Sequence, residues 1–293
     1  MKPIADRHVL IQNCRIAHGI RGEGAPVVLI HGTPSSSLIW RNVIPALVAG
    51  GYKVHVFDLL GYGLSERPWA PDIDTSVSGQ VPILEALMEH WGLADCHLIA
   101  HDIGGGVAQQ FCLKAADRVR SLTLIDVVSF DSWPSQRTQE QMQAGLDALI
   151  AAPAEEHRAH FREWLLSTVE NKDRFKATSL DTFLDLLSNP VGQASLFQHQ
   201  VRHYDPKHTS EAGRHLGKLA GLPVQIIWGE NDNWQVVDWA YKLKSAIPGA
   251  ELHVLPDCGH FAMEDQPEEI GKLLRSFLDR CAPASSGRIA ALG

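Results

Sequence analysis

Near-continuous apolar runs, separated by polar stretches marked with Gly and Pro, occupy the chain up to Asp126 and return at Val224. Val27 to Ile30, Lys53 to Asp58, Cys96 to Ala100, Val119 to Asp126, Val224 to Trp228 and Ala250 to Leu255 lack strict polar alternation. Runs of that kind predict strands covered on both faces. His8 to Arg21 alternates loosely and predicts two short antiparallel strands. Between the runs, Leu38 to Val48 has helical spacing closed by Gly50-Gly51, as do Val81 to Trp91, the stretch from Ile103 onward, and Pro267 to Leu278. Strands alternating with helices predict an α/β protein, with a mostly parallel central sheet and helices on both faces.

The pattern changes between Phe130 and Leu219, where the spacing is helical and no strand run occurs. This predicts a helical cap, or lid, inserted over the carboxyl edge of the sheet, where ligands bind in open α/β folds. The expected division is therefore a core of residues 1–129 and 220–281, a helical cap of 130–219, and a small, polar, flexible tail of 282–293.

Composition narrows the function classes. The chain has 293 residues and a net charge of −8 with His neutral, a poor match to the clustered Lys and Arg that nucleic-acid binding needs. No apolar stretch approaches the roughly 20 residues of a membrane span. The opening Met1 to Asp6 lacks the apolar centre of a signal peptide. Cys14, Cys96, Cys112, Cys258 and Cys281 are odd in number with no C-x-x-C spacing. Free buried thiols in a reducing, cytoplasmic setting are expected. The histidines form no H-E-x-x-H or similar ligand spacing, so no metal is expected.

Candidate chemistry concentrates at Ala100-His101-Asp102-Ile103-Gly104, where a buried strand hands over to a helix. Small residues two positions either side of Asp102 suit a sharp turn with a strained apex, the elbow that exposes a nucleophile. The competing reading is that Asp102 merely caps the helix. Three other segments bear on the choice. His31-Gly32-Thr33-Pro34 follows an earlier strand, where a second oxyanion-binding amide belongs; Asn231-Asp232 follows a late strand; and Gly259-His260-Phe261 follows the last one. The order nucleophile, acid, base is that of α/β-hydrolases. Asp126 and Asp131 are rivals to Asp232 as the orienting acid.

On these motifs the chain resembles the α/β-hydrolase superfamily over nearly its whole length. With Asp at the elbow, and with the segment His31 to Arg41, it is similar to the epoxide hydrolase and haloalkane dehalogenase branch. The resemblance implies Asp102 as nucleophile, His260 as general base, Asp232 as orienting acid, and the Thr33 and Ile103 amides as an oxyanion hole.

A carboxylate attacking an ester carbonyl would make a reactive anhydride. At a saturated carbon it makes a stable alkyl ester, which water activated by a histidine can hydrolyse. Cofactor-independent opening of an epoxide, or displacement of a halide, is therefore expected. The dehalogenase branch normally places Trp directly after the nucleophile, where this chain has Ile103, and often Asn where it has Thr33. That favours the epoxide. A ring oxygen needs an acidic O–H, and Tyr204 is the one tyrosine within the helical insertion. It reads equally as a donor or as a structural hydrogen-bonding residue. His199 or His203 could serve as a second donor. His31, Trp133, Trp164 and Phe261 complete the expected pocket, and Trp40, Trp228, Trp234 and Trp239 are expected in the core. The expected ligands are a small apolar epoxide or halogenated molecule and water, with no nucleic acid, membrane or cofactor. A non-catalytic small-molecule-binding protein on the same fold is the alternative from another class.

Overall fold

The apolar runs form one eight-stranded sheet in the computed structural model, which describes residues 3–68, 70, 72–188 and 196–281. In chain order the strands are β1 (Arg7–Ile11), β2 (Cys14–Arg21), β3 (Ala25–Ile30), β4 (Tyr52–Phe57), β5 (Cys96–His101), β6 (Val119–Ile125), β7 (Val224–Gly229) and β8 (Glu251–Leu255). Their spatial order is β1-β2-β4-β3-β5-β6-β7-β8. Antiparallel pairing is confined to β1 with β2 and β2 with β4; the rest is parallel. Burial follows the pattern of the runs. Every residue of β5 and β7 is buried, while β1 and β8 at the two edges are partly exposed.

Helices between the strands are α1 (Ile44–Ala49), α2 (Val77–His90), α3 (Ile103–Lys114), α10 (Asp238–Ala246), α11 (Ala262–Asp265) and α12 (Pro267–Cys281). α1 packs against α12, and α2 against α3. The helix expected over Leu38 to Val48 divides in two. A 3-10 turn at Ser37–Trp40 is capped by Ser36, and α1 begins afresh where Pro45 occupies its first turn. A proline is tolerated there because the N–H it lacks would have no partner. α2 starts at Val77, earlier than expected, because the Ser76 hydroxyl accepts from Gly79 N–H.

Between β6 and β7 the described residues contain helical elements and no strand. These are α4 (Gln136–Ala144), α5 (Asp147–Ile150), α6 (Ala154–Ser167), α7 (Lys172–Thr178), α8 (Leu180–Leu187) and α9 (Lys207–Gly213), with a π turn at Leu196–Gln200 and 3-10 turns at Val201–His203 and Leu216–Leu219. Polar bonds seat this block on the loops at the sheet's carboxyl end. Phe261 N donates to Thr168 O at 2.7 Å, and Gln200 Nε2 to Gly61 O at 2.7 Å. Arg41 grips Glu264 through both guanidinium nitrogens and also reaches Ser179 between α7 and α8. The ion pair is nearly dry, with side chains 10% and 3% exposed.

Among the described residues no helix is long and apolar enough to cross a membrane. All five cysteines are unpaired thiols, and Cys14, Cys96, Cys112 and Cys258 are buried. The expected tail, 282–293, lies outside the described residues.

Candidate active site

Strand order places the site before any side chain is considered. β3 is followed in the chain by β4 on one side and flanked by β5 on the other, so the connections diverge at this pair. Ligands of open α/β sheets bind in the crevice beyond such a switch point. Ile30 and Ala100 are partners in register. The chain therefore leaves β3 and β5 side by side, carrying Thr33 and Asp102 to one place.

Asp102 sits at φ 48° and ψ −123°, outside the region an L-residue prefers, and its side chain makes no capping bond to α3. Helix-capping residues have extended backbone angles and bond a first-turn N–H. The capping alternative therefore fails on both counts. Space at the elbow is tight. A Cβ on Gly104 would strike the backbone carbonyls of Ile30 and His31, and one on Gly32 would strike the Asp102 side chain. Thus the small residues are required by close approach of two strand ends.

The Asp102 carboxylate is divided between two environments. Oδ1 accepts from Thr33 N–H at 2.7 Å, and the neighbouring Ile103 amide also favours the charged form of the carboxylate. Oδ2 lies 3.7 Å from His260 Nε2. The other ring nitrogen, Nδ1, is 2.7 Å from Asp232 Oδ2. Asp232 in turn accepts two backbone N–H groups on Oδ1, from Trp234 at 2.7 Å and Gln235 at 2.9 Å. All three side chains are buried. Burial pushes the Asp102 carboxyl above its usual range, opposed by His260 and by the two amides. Burial alone would lower His260, but the charge and hydrogen bond of Asp232, aided by Asp102, outweigh it and raise the imidazole. An imidazole held between two carboxylates, with its tautomer set by one of them, can take a proton from water beside the other.

Thr33, Trp133, Trp164 and Tyr204 line a cavity with Asp102 and His260. Its free volume is about 30 Å³, enough for water, which needs only about 10–15 Å³. The Tyr204 hydroxyl donates to Thr33 Oγ1 at 3.1 Å and lies 3.5 Å from the Tyr62 hydroxyl. Trp133 packs on the Tyr204 ring with centroids 4.4 Å apart. Burial raises both tyrosines, so both hydroxyls keep their protons.

Other expected pocket residues lie elsewhere. His31 is spent on the fold: Nε2 accepts from Leu59 N–H at 2.9 Å and Nδ1 meets Gly32 O at 2.8 Å. Phe261 lies under the site, stacked against His260 and edge-on to His101. His199 and His203 belong to the π and 3-10 turns and do not line the cavity. Of the rival acids, exposed Asp131 pairs with Lys242, while Asp126 is buried facing Asp232. Ser135, Thr138, Trp234 and Gln235 line the cavity without having been expected there. Tyr62 escaped notice because a tyrosine between Gly61 and Gly63 reads as a turn. Its place in the loop that leaves buried β4 was the available signal. Among the described residues no cluster of three or more His, Cys, Asp or Glu is arranged to hold a metal.

Comparison with known proteins agrees with this architecture. A relative from Shewanella oneidensis, a cis-3-alkyl-4-alkyloxetan-2-one decarboxylase, is 25% identical over 93% of this chain and 88% of its own. A 2-hydroxy-6-oxononadienedioate/2-hydroxy-6-oxononatrienedioate hydrolase from Klebsiella pneumoniae is 26% identical over 87% of each chain. The crystal structure of an alpha/beta hydrolase fold protein from Burkholderia ambifaria matches with a TM-score of 0.84 and 30% identity, covering 94% of this chain and 98% of that one. Residues 25–267 match the family model for the alpha/beta hydrolase fold, and the chain belongs to that family.

Proposed function

We propose that this hydrolase uses Asp102 as a nucleophile toward saturated carbon and most readily opens a small apolar epoxide. The observation that carries the reading is the division of the Asp102 carboxylate. One oxygen already accepts from the Thr33 amide, with the Ile103 amide next to the carboxylate in the chain, while the other lies 3.7 Å from His260 Nε2. A serine elbow would leave those amides for the substrate's own carbonyl oxygen. Here the Thr33 amide holds an oxygen of the enzyme, as an alkyl-enzyme ester requires.

In the proposed sequence Oδ2 attacks a ring carbon and the carbon–oxygen bond breaks. The ring oxygen takes the Tyr204 proton, with Tyr62 behind it to share the resulting charge. Asp102 becomes a neutral ester, which removes one of the two charges that raise His260. The imidazole is then a better-poised base, still oriented by Asp232. His260 Nε2 takes a proton from water attacking the ester carbonyl, and the Thr33 and Ile103 amides stabilise the tetrahedral oxyanion on Oδ1. Collapse expels the alkoxide, which takes the proton from His260 and leaves as the diol. The acid left on Asp102 returns a proton to the Tyr204 phenolate, restoring carboxylate, imidazole and phenol. Every group in this sequence is a side chain or amide of the chain itself.

The Shewanella relative is named for a strained four-membered oxygen ring, which supports a strained cyclic electrophile here. A second reading, halide displacement, is favoured by one observation. Trp133 and Trp164 line the cavity, and neither indole N–H has a hydrogen-bond partner among the described residues. Two free indole donors beside the nucleophile could hold a leaving halide.

His260→Gln tests the reading directly. It should still consume one equivalent of epoxide, form no diol, and leave a stable mass increase on the Asp102 peptide. Bromide release from haloalkanes without any reaction of epoxides would select the second reading. An unmodified Asp102 peptide with every substrate of both panels would remove the covalent mechanism.

A further inference from the structure

Asp126 follows β6 directly, is fully buried, and adopts φ 46°. Nothing in the covalent mechanism uses it. Its N–H donates to Ile227 O at 3.1 Å, and its Oδ1 accepts from Gly229 N–H at 2.8 Å. The residue therefore straps the end of β6 to the turn that carries Asp232, whose own N–H closes on Gly229 O at 3.2 Å.

The second carboxyl oxygen is the informative one. Oδ2 is sealed from water, and no donor reaches it. The groups that face Asp126 from its surroundings are Asp232 after β7, Asp265 in α11 and the Cys258 thiol after β8. None supplies a positive charge. Asp232 is far better provided, with two amides on one oxygen and the His260 ring on the other. Two carboxyl groups buried side by side do not both ionise, and the proton goes to the one with fewer donors. As a carboxylate, Asp126 Oδ2 is an orphan; as an acid, its O–H has Asp232 to donate to.

We propose that Asp126 is an uncharged carboxylic acid in the folded enzyme and a positioning residue that acts through Asp232. The strap to Gly229 sets the turn, and the O–H directed at Asp232 draws electron density from that carboxylate. A softened Asp232 orients His260 without binding its proton so tightly that the ring stops working as a base. The other groups facing His260 are Asp102 and the ring of His101, with centroids 4.8 Å apart; burial holds His101 well below the usual imidazole range, so it stays neutral. The catalytic part of this proposal rests on the general-base role given to His260 above; the protonation state of Asp126 does not.

The test compares Asp126→Asn with Asp126→Ala in the full chain. Asparagine keeps an acceptor for Gly229 and an N–H donor for Asp232, while alanine loses both. Infrared difference spectra at neutral pH should show a protonated-carboxyl band in the native enzyme that vanishes in Asp126→Asn. NMR titration of the His260 ring should give the native midpoint in Asp126→Asn. In Asp126→Ala the midpoint should move up by about one pH unit, because Asp232 then pulls harder on the imidazolium. If the alanine variant does not fold, Asp126→Ser, which keeps a single hydroxyl donor, takes its place with a smaller upward shift expected. Absence of the carboxyl band overturns the proposal. So does an unmoved His260 midpoint in the alanine or serine variant, which would leave only a structural strap. Neither readout needs turnover. A present band and a shifted midpoint alongside an unalkylated Asp102 would sink the covalent mechanism and leave this proposal standing.

Discussion

The sheet's carboxyl edge and the helical block above it contribute to the same cavity by different means. Asp102, Asp232 and His260 stand on turns that leave strands within one or a few residues, where parallel neighbours fix the backbone. Asp102 and Asp126 hold φ near +50°, a conformation that costs about 1–3 kcal/mol and persists only where the surroundings over-determine it. Tyr204, Trp133 and Trp164 come instead from loops, a 3-10 turn end and a helix, whose apolar side chains join the hydrophobic cluster of the core and whose polar groups bond its loops. The difference assigns the work. The rigid edge sets which bond can be attacked, and the block sets which leaving oxygen or halide is received.

Removing the edge chemistry should have the largest effect. Asp102→Ala should lower turnover by about 10⁴-fold or more, as loss of a nucleophile does elsewhere, with the fold intact by circular dichroism. Residual activity within tenfold of the native enzyme would break the proposed division. Next comes the clamp between the two regions. Arg41→Ala leaves Glu264 buried without its partner and should cost about 3–5 kcal/mol in urea unfolding. Replacing both by apolar residues of similar volume should cost much less. A single-variant loss below 1 kcal/mol would mean that the block is not held there.

Within the block, Tyr204→Phe should slow epoxide opening by about 10²-fold, the usual worth of a general acid, and leave bromide displacement nearly unchanged. Equal losses for both substrates would make Tyr204 a packing residue. The smallest effect is on pH. His260 must be neutral to accept a proton, and Asp232 with Asp102 raises its pKa despite burial. Activity should therefore rise with pH through an acid limb above the ordinary imidazole value, falling about tenfold per unit below it. After Asp102 is esterified one raising charge is gone, so the limb of single-turnover ester hydrolysis should lie at lower pH than the titration limb of the His260 ring in the free enzyme, read by NMR. Coincident limbs would contradict the coupling.

Much of the edge was legible in the chain and little of the block. Buried strands are long apolar runs, and the residues that must follow them (Gly32-Thr33, Asp102 with Gly104, Asp232, His260) are local in sequence, so order alone located them. Asp126 was legible only as a competitor for one role. Its proximity to Asp232 depends on β6 and β7 being neighbours, and two acids can share a site without sharing a task. In the block, side-chain direction depends on how short helices, a π turn and a 3-10 turn stack. The same uncertainty placed His199 and His203 in the expected pocket and Trp234 in the core, and the structure reverses both. The helix that split at Pro45 and the Tyr62 hydroxyl beside Tyr204 were likewise invisible to periodicity, because both follow from tertiary contacts.

The most direct test is a single turnover of an epoxide in water enriched in heavy oxygen, followed by mass analysis of the peptide that contains Asp102. Attack by Asp102 leaves a solvent oxygen in its own carboxylate, so the peptide should gain one label while the first diol released carries none. Label in the diol and none in Asp102 would mean that water attacks the substrate directly, and the covalent account would be wrong.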